Sequence, residues 1–236
     1  MISIVTGTLN RIQFLPDLID NTVNANPNLE LVLVDGGSND GTIEYIKSLN
    51  HPQIKFIEVG GRSSYPHFMN LGIENATHDL ICQWNDDVIL LNSWDEIIAQ
   101  IEDNVDFYLF NWKYGSKEDT TSPEWLEGTD QKYGWCLAAK PEIDNEMVMN
   151  YGIYRKKIFK EIGMYNNSYR YYYADGDMTW RAYKFGYKFK ACHHIKICSL
   201  NTDKVALHQH GDYDIYQTNR NYYNNNILPE NITYLK

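Results

Sequence analysis

The sequence contains no run of about 18 apolar residues, so it offers no transmembrane helix. Its opening, Met1 to Gly7, lacks a basic segment, and its apolar stretch is too short for a secretory signal peptide. Cysteine is sparse: Cys82, Cys136, Cys192 and Cys198 form no C-x-x-C pair. Four scattered cysteines in a chain of this length read as reduced core residues of a cytoplasmic protein, soluble or peripheral at a membrane. Positive charge is in short supply too. Lys and Arg number 21 against 31 Asp and Glu, a formal net charge of −10. That balance argues against a nucleic-acid groove, and against an anionic membrane as the main partner. It leaves phosphate-bearing ligands open, because a divalent cation reconciles carboxylates with phosphates. No internal repeat appears, and no linker marks two independent domains.

What is present is a globular composition, 43% apolar and 22% charged over 236 residues. At about 150 residues per domain, that is one large domain or one domain plus an extension, long enough to bury a sizeable core. The first half alternates strands and helices. Ile2 to Val5, Leu29 to Val34, Ile54 to Val59 and Leu80 to Trp84 read as strands. Helical spacing runs through Ile12, Leu15, Leu18, Ile19 and Val23, and helices are also expected over Thr42 to Leu49 and Phe68 to Ala76. Such alternation predicts an α/β fold, a mostly parallel sheet with helices on both faces. Val105 to Trp112 reads as a further strand, Ile153 to Ile162 and Asp177 to Phe185 as helices, and Tyr187 to Leu200 as one or two strands. Gly163 and Gly186 stop the two helices. Tyr114 to Pro141, with Trp125 and Trp135, has no clear period and suits a lid over an acceptor. The tail after Gly211 is polar and is expected to be mobile.

Ligands of an open α/β sheet bind beyond the carboxyl ends of its strands. Three polar clusters fall there: Thr6 to Asn10, Asp35-Gly36-Gly37, and Asn85-Asp86-Asp87. Adjacent Asp86 and Asp87 repel each other if left bare, and Mg²⁺ or Mn²⁺, which take oxygen ligands together with substrate phosphates, would remove that cost.

The ordered stretches VTGTLNR, LELVLVDGGSNDGT and MNLGIENATHDLICQWNDDVIL resemble the family 2 glycosyltransferases, which have the GT-A fold. Gly152 to Arg155 with Ile162 to Tyr165, and then Tyr173 to Lys188, are similar to that family's acceptor-side pattern. The resemblance spans residues 2 to 210. It implies a single GT-A domain over 1–210, with a nucleotide-binding half, 1–112, an acceptor half with an α+β extension, 113–210, and a C-terminal tail, 211–236. It implies an inverting, metal-dependent transferase, moving a sugar from a UDP-, dTDP- or GDP-sugar to a glycan, glycolipid or glycoprotein hydroxyl.

Residue by residue, the resemblance puts Gly7, Thr8 and Leu9 against the nucleotide base and Asp35 at the base or ribose. It puts Asp86 near the ribose or sugar, Asp87 on the Mn²⁺ or Mg²⁺ that bridges the diphosphate, and His208 at the metal or diphosphate. Asp175 takes the place of the general base. Arg62, on a flexible loop, is a candidate diphosphate contact. The chain departs from the family pattern at Leu9 for Tyr, Gly36 for Asp, Asn85 for Asp and Ala174 for Glu. Those departures motivate the alternative, a non-catalytic glycan- or nucleotide-binding relative on the same fold. A nucleotidyltransferase would want a Gly-rich basic loop after the first strand, which Thr6 to Arg11 does not supply. Asp177 and Arg181 are spaced to pair one turn apart. A zinc site at Cys192, His193, His194 and Cys198 is disfavoured, because strand alternation sends the two histidines to opposite faces.

Overall fold

A computed structural model describes residues 1–127, 136–137, 151–200 and 213–226. Four parallel strands open the chain: β1 (Ile2–Thr8), β2 (Leu29–Asp35), β3 (Ile54–Glu58) and β4 (Leu80–Gln83). They are followed by β5 (Val88–Leu90), β6 (Phe107–Gly115), β7 (Cys136–Leu137), β8 (Gly152–Arg155) and β9 (Phe189–Leu200). All nine join one sheet in the order β3-β2-β1-β4-β8-β6-β9-β5, with β7 paired to β6. The first four strands are parallel throughout, and β6 and β9 form a second parallel pair. Beyond β4 the sheet continues through antiparallel β8, so the second half is the α+β extension of an α/β core.

The helices are α1 (Leu15–Asn21), α2 (Thr42–Leu49), α3 (Tyr65–Asn75), α4 (Trp94–Ile98), α5 (Pro123–Glu127), α6 (Lys157–Ile162), α7 (Ala174–Phe185) and α8 (Tyr213–Asn226). Leu29 to Val34 reads as a nearly unbroken apolar run because both faces of β2 are covered. One apolar layer gathers Ile4, Leu18, Ile46, Trp84, Trp94 and Ile195; the other gathers Val5, Met69, Ile73, Tyr154, Phe159 and Trp180. Helix α3 lies so close on β1 that a Cβ at Gly72 would stand 2.3 Å from Val5 Cγ1.

Several boundaries differ from the sequence expectations. The stretch expected as a helix from Ile153 divides into β8 and α6, because Ile153 and Tyr154 sit between β4 and β6 at the centre of the sheet. Helix α3 starts at Tyr65, ahead of Phe68, where Ser64 accepts from the His67 N–H and Pro66 occupies the first turn. The first helical pattern divides into a 3₁₀ turn, Ile12–Phe14, and α1, whose first turn holds Pro16. Over residues 213–226 the polar tail forms α8, with Asn219 and Tyr223 buried. In β9 a bulge between the Phe110–Cys192 and Asn111–Lys196 pairs takes up the two histidines, and both are exposed. Cys82, Cys192 and Cys198 are buried free thiols. No helix among the described residues is long and apolar enough to cross a membrane.

Candidate active site

The carboxyl ends of β1, β2 and β4 converge on one edge, since β1 pairs with both of the others. Asp35, the last residue of β2, is fully buried. Its Oδ1 accepts from the N–H groups of Gly37 (2.8 Å) and Ser38 (2.9 Å), and its Oδ2 accepts from the Ser38 hydroxyl at 2.5 Å. Ser38 Oγ in turn accepts the Asn10 N–H, and Asn10 Oδ1 accepts the Asn39 N–H, both at 2.8 Å. Asn10 holds a left-handed φ of 53° inside this zipper. Asp35 thus fastens the loop after β1 to the loop after β2.

Gly7, Leu9 and Gly36 meet over one ring. A Cβ at Gly7 would lie 3.2 Å from Phe68, and one at Gly36 would lie 3.0 Å from Phe68 Cζ and 3.5 Å from Leu9 Cδ1. Gly7 and Gly36 thus both lie against the Phe68 ring, and Gly36 lies against Leu9 as well. Gly37, at φ +91°, backs onto the Gly60–Gly61 backbone, where a Cβ would approach to 3.0 Å. Both the φ and the contact demand glycine. That contact carries the loop bearing Arg62. Arg62 is exposed, and its Nε donates to the Tyr171 hydroxyl at 3.0 Å.

Asp86 and Asp87 occupy the turn between β4 and β5. The Arg11 guanidinium reaches both with one nitrogen: Nη1 lies 2.6 Å from Asp87 Oδ2 and 3.7 Å from Asp86 Oδ1. All three side chains are nearly buried, and Arg11 also lies over the Phe14 ring. Burial pushes Asp86 up to about 6; Arg11 opposes the rise and Asp87 adds to it. Asn85 Nδ2 donates to the Tyr151 hydroxyl at 3.3 Å.

Asp175 is the second residue of α7, half-buried, and burial pushes it up to about 6 against the pull of the Gly176 N–H. The preceding Tyr173 caps the helix at a left-handed φ of 68°, an unfavourable conformation for a side chain of that size. A group of tyrosines packs behind the strand ends: Tyr65 stands edge-on to Tyr165 at 5.9 Å, and Tyr151 edge-on to Trp84 at 6.0 Å. Tyr165 donates to Gln83, the last residue of β4. Burial raises Tyr65, Tyr151 and Tyr165, so these phenols keep their protons. Asp177 pairs with Arg181 Nε at 3.2 Å, as its spacing anticipates. Arg181 also donates to the carbonyls of Ile162 and Met164, so it secures the turn after α6.

Of the two loop tryptophans, Trp125 is fixed beneath β6. Lys113 Nζ lies 4.8 Å from its ring centroid, and a Cβ at Gly115 would collide with it at 2.5 Å. Trp135 and His208 lie outside the described residues. Sequence patterns alone do not point to Arg11, Phe68 or the tyrosine cluster as parts of the site. Arg11 does carry a signal: it is a cation directly after the first strand-end turn of an acidic chain.

The family model described as "Glycosyl transferase family 2" matches residues 3–163. The chain belongs to glycosyl transferase family 2. Solved structures agree on the GT-A fold. A mannosyltransferase, PcManGT from Pyrobaculum calidifontis, in complex with GDP-Man and Mn²⁺, superposes with a TM-score of 0.58 at 17% identity, over 84% of this chain and 56% of that one. S. aureus TarS 1-349 gives 0.64 at 15% identity, over 84% and 60%. Its complex with UDP-GlcNAc gives 0.66 at 16% identity, over 92% and 64%. This family 2 chain therefore spans less than two thirds of the length of each of these structures. No curated protein sequence matches it.

A divalent metal fits the Asp86–Asp87 turn in chemistry. Two carboxylates share one guanidinium nitrogen, so the turn keeps an excess of negative oxygen donors suited to a hard cation. Among the described residues no group of three His, Cys, Asp or Glu side chains could hold an ion. Substrate phosphates would therefore have to supply the remaining ligands, as is usual for Mg²⁺.

Proposed function

We propose that this chain is an inverting, metal-dependent glycosyltransferase that moves a hexosyl or deoxyhexosyl group from a nucleoside diphosphate sugar to an acceptor hydroxyl. The observation that supports the reading is the Asp86–Asp87 pair, nearly buried in the turn beyond β4, on the edge where β1 and β2 also end. That turn suits a diphosphate, and Asp175, raised to about 6, suits proton abstraction.

The donor half is residues 1–112 and the acceptor half 113–210, with the tail from 211 outside both. In the donor half, the backbone of Gly7, Thr8 and Leu9 faces the base, over the wall formed with Gly36 and Phe68. Asp35 contributes through the turn that it builds. Asp86 serves the ribose or sugar, and Arg62 reaches the diphosphate from its exposed loop. Asp87 holds the Mn²⁺ or Mg²⁺, with His208 as a second contact; the bound ion supplies positive charge to the leaving diphosphate.

Asp175 takes the proton of the attacking hydroxyl. The acceptor oxygen forms a bond to the anomeric carbon, and the bond from that carbon to the diphosphate oxygen breaks with its electron pair going to the diphosphate. Attack from the face opposite the leaving group inverts the centre. Base catalysis of this kind is worth roughly 10²–10⁴-fold in rate, and it is most efficient when the base's pKa lies near the working pH. A carboxyl raised to about 6 is still mostly ionised at neutral pH, and it is a stronger base than an exposed aspartate. The ligands bound in the neighbours, GDP-Man, UDP and UDP-GlcNAc, make GDP- and UDP-sugars the first donors to try. Glycans, glycolipids and glycoproteins are the acceptor classes.

The test is Asp175→Asn, which keeps the shape and removes the base. Nucleotide affinity stays within about twofold, and transfer to acceptor falls by about 10²-fold or more. Transfer at the wild-type rate contradicts the base assignment. The departures at Leu9, Gly36, Asn85 and Ala174 favour a second reading, a non-catalytic relative. That reading predicts nucleotide or glycan binding with no turnover in either protein.

A further inference from the structure

The donors of Arg11 are unevenly used. Nη1 serves both Asp87, at 2.6 Å, and Asp86, at 3.7 Å. Among the described residues the guanidinium donates its hydrogen bond to Asp87 through Nη1 alone, and Nε and Nη2 make no such bond there. A guanidinium ordinarily meets a carboxylate with two parallel N–H bonds, and an end-on contact by one nitrogen leaves a fork of donors over. Arg11 caps the 3₁₀ turn after β1, two residues beyond Leu9 on the loop that follows Gly7 and Thr8 at the strand end. Its side chain is thus rooted beside the proposed nucleotide loop and ends on the proposed metal carboxylate.

We propose that Arg11 is a resident counter-cation of the Asp86–Asp87 turn, and that it must release Asp87 before a divalent ion can use that carboxylate. Its guanidinium then passes to the diphosphate oxygens of the donor. The inference rests on the metal-dependent reading given above and goes beyond it, by assigning a positioning role to a residue that the reading does not use. Charge sets the requirement. Among the described residues, two nearly buried carboxylates and one guanidinium leave a single negative charge. A divalent ion arriving with Arg11 still in place would crowd two cations onto one carboxylate. If Arg11 has nowhere to go, the metal binds against it. If a diphosphate arrives as well, the guanidinium has a fork-shaped partner and the exchange is balanced. Metal and nucleoside diphosphate should therefore bind with positive coupling through Arg11, and such coupling is reciprocal.

The test is calorimetric titration of Mn²⁺ into the wild type and Arg11→Gln, each with and without saturating UDP or GDP, whichever the protein binds. The wild type is expected to bind Mn²⁺ weakly alone and about tenfold or more tighter with the nucleotide. Arg11→Gln is expected to bind Mn²⁺ alone about tenfold tighter than the wild type, and to lose most of the nucleotide coupling. Removing the guanidinium from two buried carboxylates can impair folding, so a second variant, Arg11→Gln/Asp86→Asn, restores the single net negative charge of the turn. It too should bind Mn²⁺ alone more tightly than the wild type. Asp86→Asn by itself keeps Arg11 on Asp87 and should bind Mn²⁺ no better than the wild type.

Equal or weaker Mn²⁺ binding by both Arg11 variants, in proteins that do bind Mn²⁺, overturns the Arg11 exchange and leaves the metal-dependent reading standing. An absence of saturable Mn²⁺ binding in every protein, with or without nucleotide, overturns both.

Discussion

Asp175 shows how a single carboxyl sets a conflict between stability and chemistry. Its ordinary value is 3.8, and burial lifts it to about 6. Between those values the folded protein holds a proton that the unfolded chain has released. Lowering the pH through that window therefore stabilises the fold, and raising it has the opposite effect. A rise of that size corresponds to about 3 kcal/mol at most, less where water reaches the half-exposed group. Asp175→Asn should accordingly raise the melting temperature at pH 7, with the gain shrinking toward pH 4. Over the same range kcat/KM of the wild type should climb with pH through about 6 and then level off. A melting difference that does not depend on pH would mean that Asp175 is not held in a desolvating site.

At the scale of elements, α8 has a role that its composition hides. Its Asn219 Oδ1 accepts the Arg170 N–H at 3.1 Å, and its Tyr223 ring lies 5.2 Å from that of Tyr173. Tyr222 packs edge-on against Tyr169 at 5.0 Å. The helix thus fastens the segment that holds Tyr173 in its left-handed conformation, one step before the helix that carries Asp175. Tyr223→Ala should lower kcat for transfer by about tenfold, since small misplacement of a catalytic group is costly, while nucleotide affinity is unchanged. A fall in nucleotide affinity instead would place α8 on the donor side.

The same helix marks the limit of what sequence patterns reveal. A polar, Asn-rich run has no hydrophobic period, and α8 is held by tyrosines and one asparagine rather than by an aliphatic stripe. The first four strands are readable because each alternates with a helix and most end on a polar cluster. Gly152 to Arg155 is easily mistaken for helix because a strand buried at the centre of a sheet and a buried helix share a short apolar run. Asp86, Asp87 and Asp175 stand out as carboxylates at element ends. The partner that faces Asp86 comes from elsewhere in the chain. Arg11 lies 76 residues from Asp87, and no local pattern announces such a pairing.

The whole molecule divides its labour by sheet edge. Four parallel strands bring Thr8, Asp35 and Asn85 to one rim, and the segment ahead of α7 meets the start of α3, where the Tyr65 N–H donates to the Arg170 carbonyl at 2.8 Å. The hydrogen bonds among Asp35, Ser38, Asn10 and Asn39 tie the loops after β1 and β2 into one piece of that rim. The chain carries a net charge of −10, and a nucleoside diphosphate is an anion. In the proposed mechanism, a divalent ion on Asp87 reconciles the two.

The most direct measurement is the melting temperature of the wild type and Asp87→Ala with UDP, dTDP, GDP or CDP, each with and without Mn²⁺. Ligand binding to the folded state raises the melting temperature by mass action. The account predicts that one nucleotide raises it by several degrees only when Mn²⁺ is present, and that Asp87→Ala abolishes the rise. No shift with any nucleotide, or the same Mn²⁺-linked shift in Asp87→Ala, would contradict it.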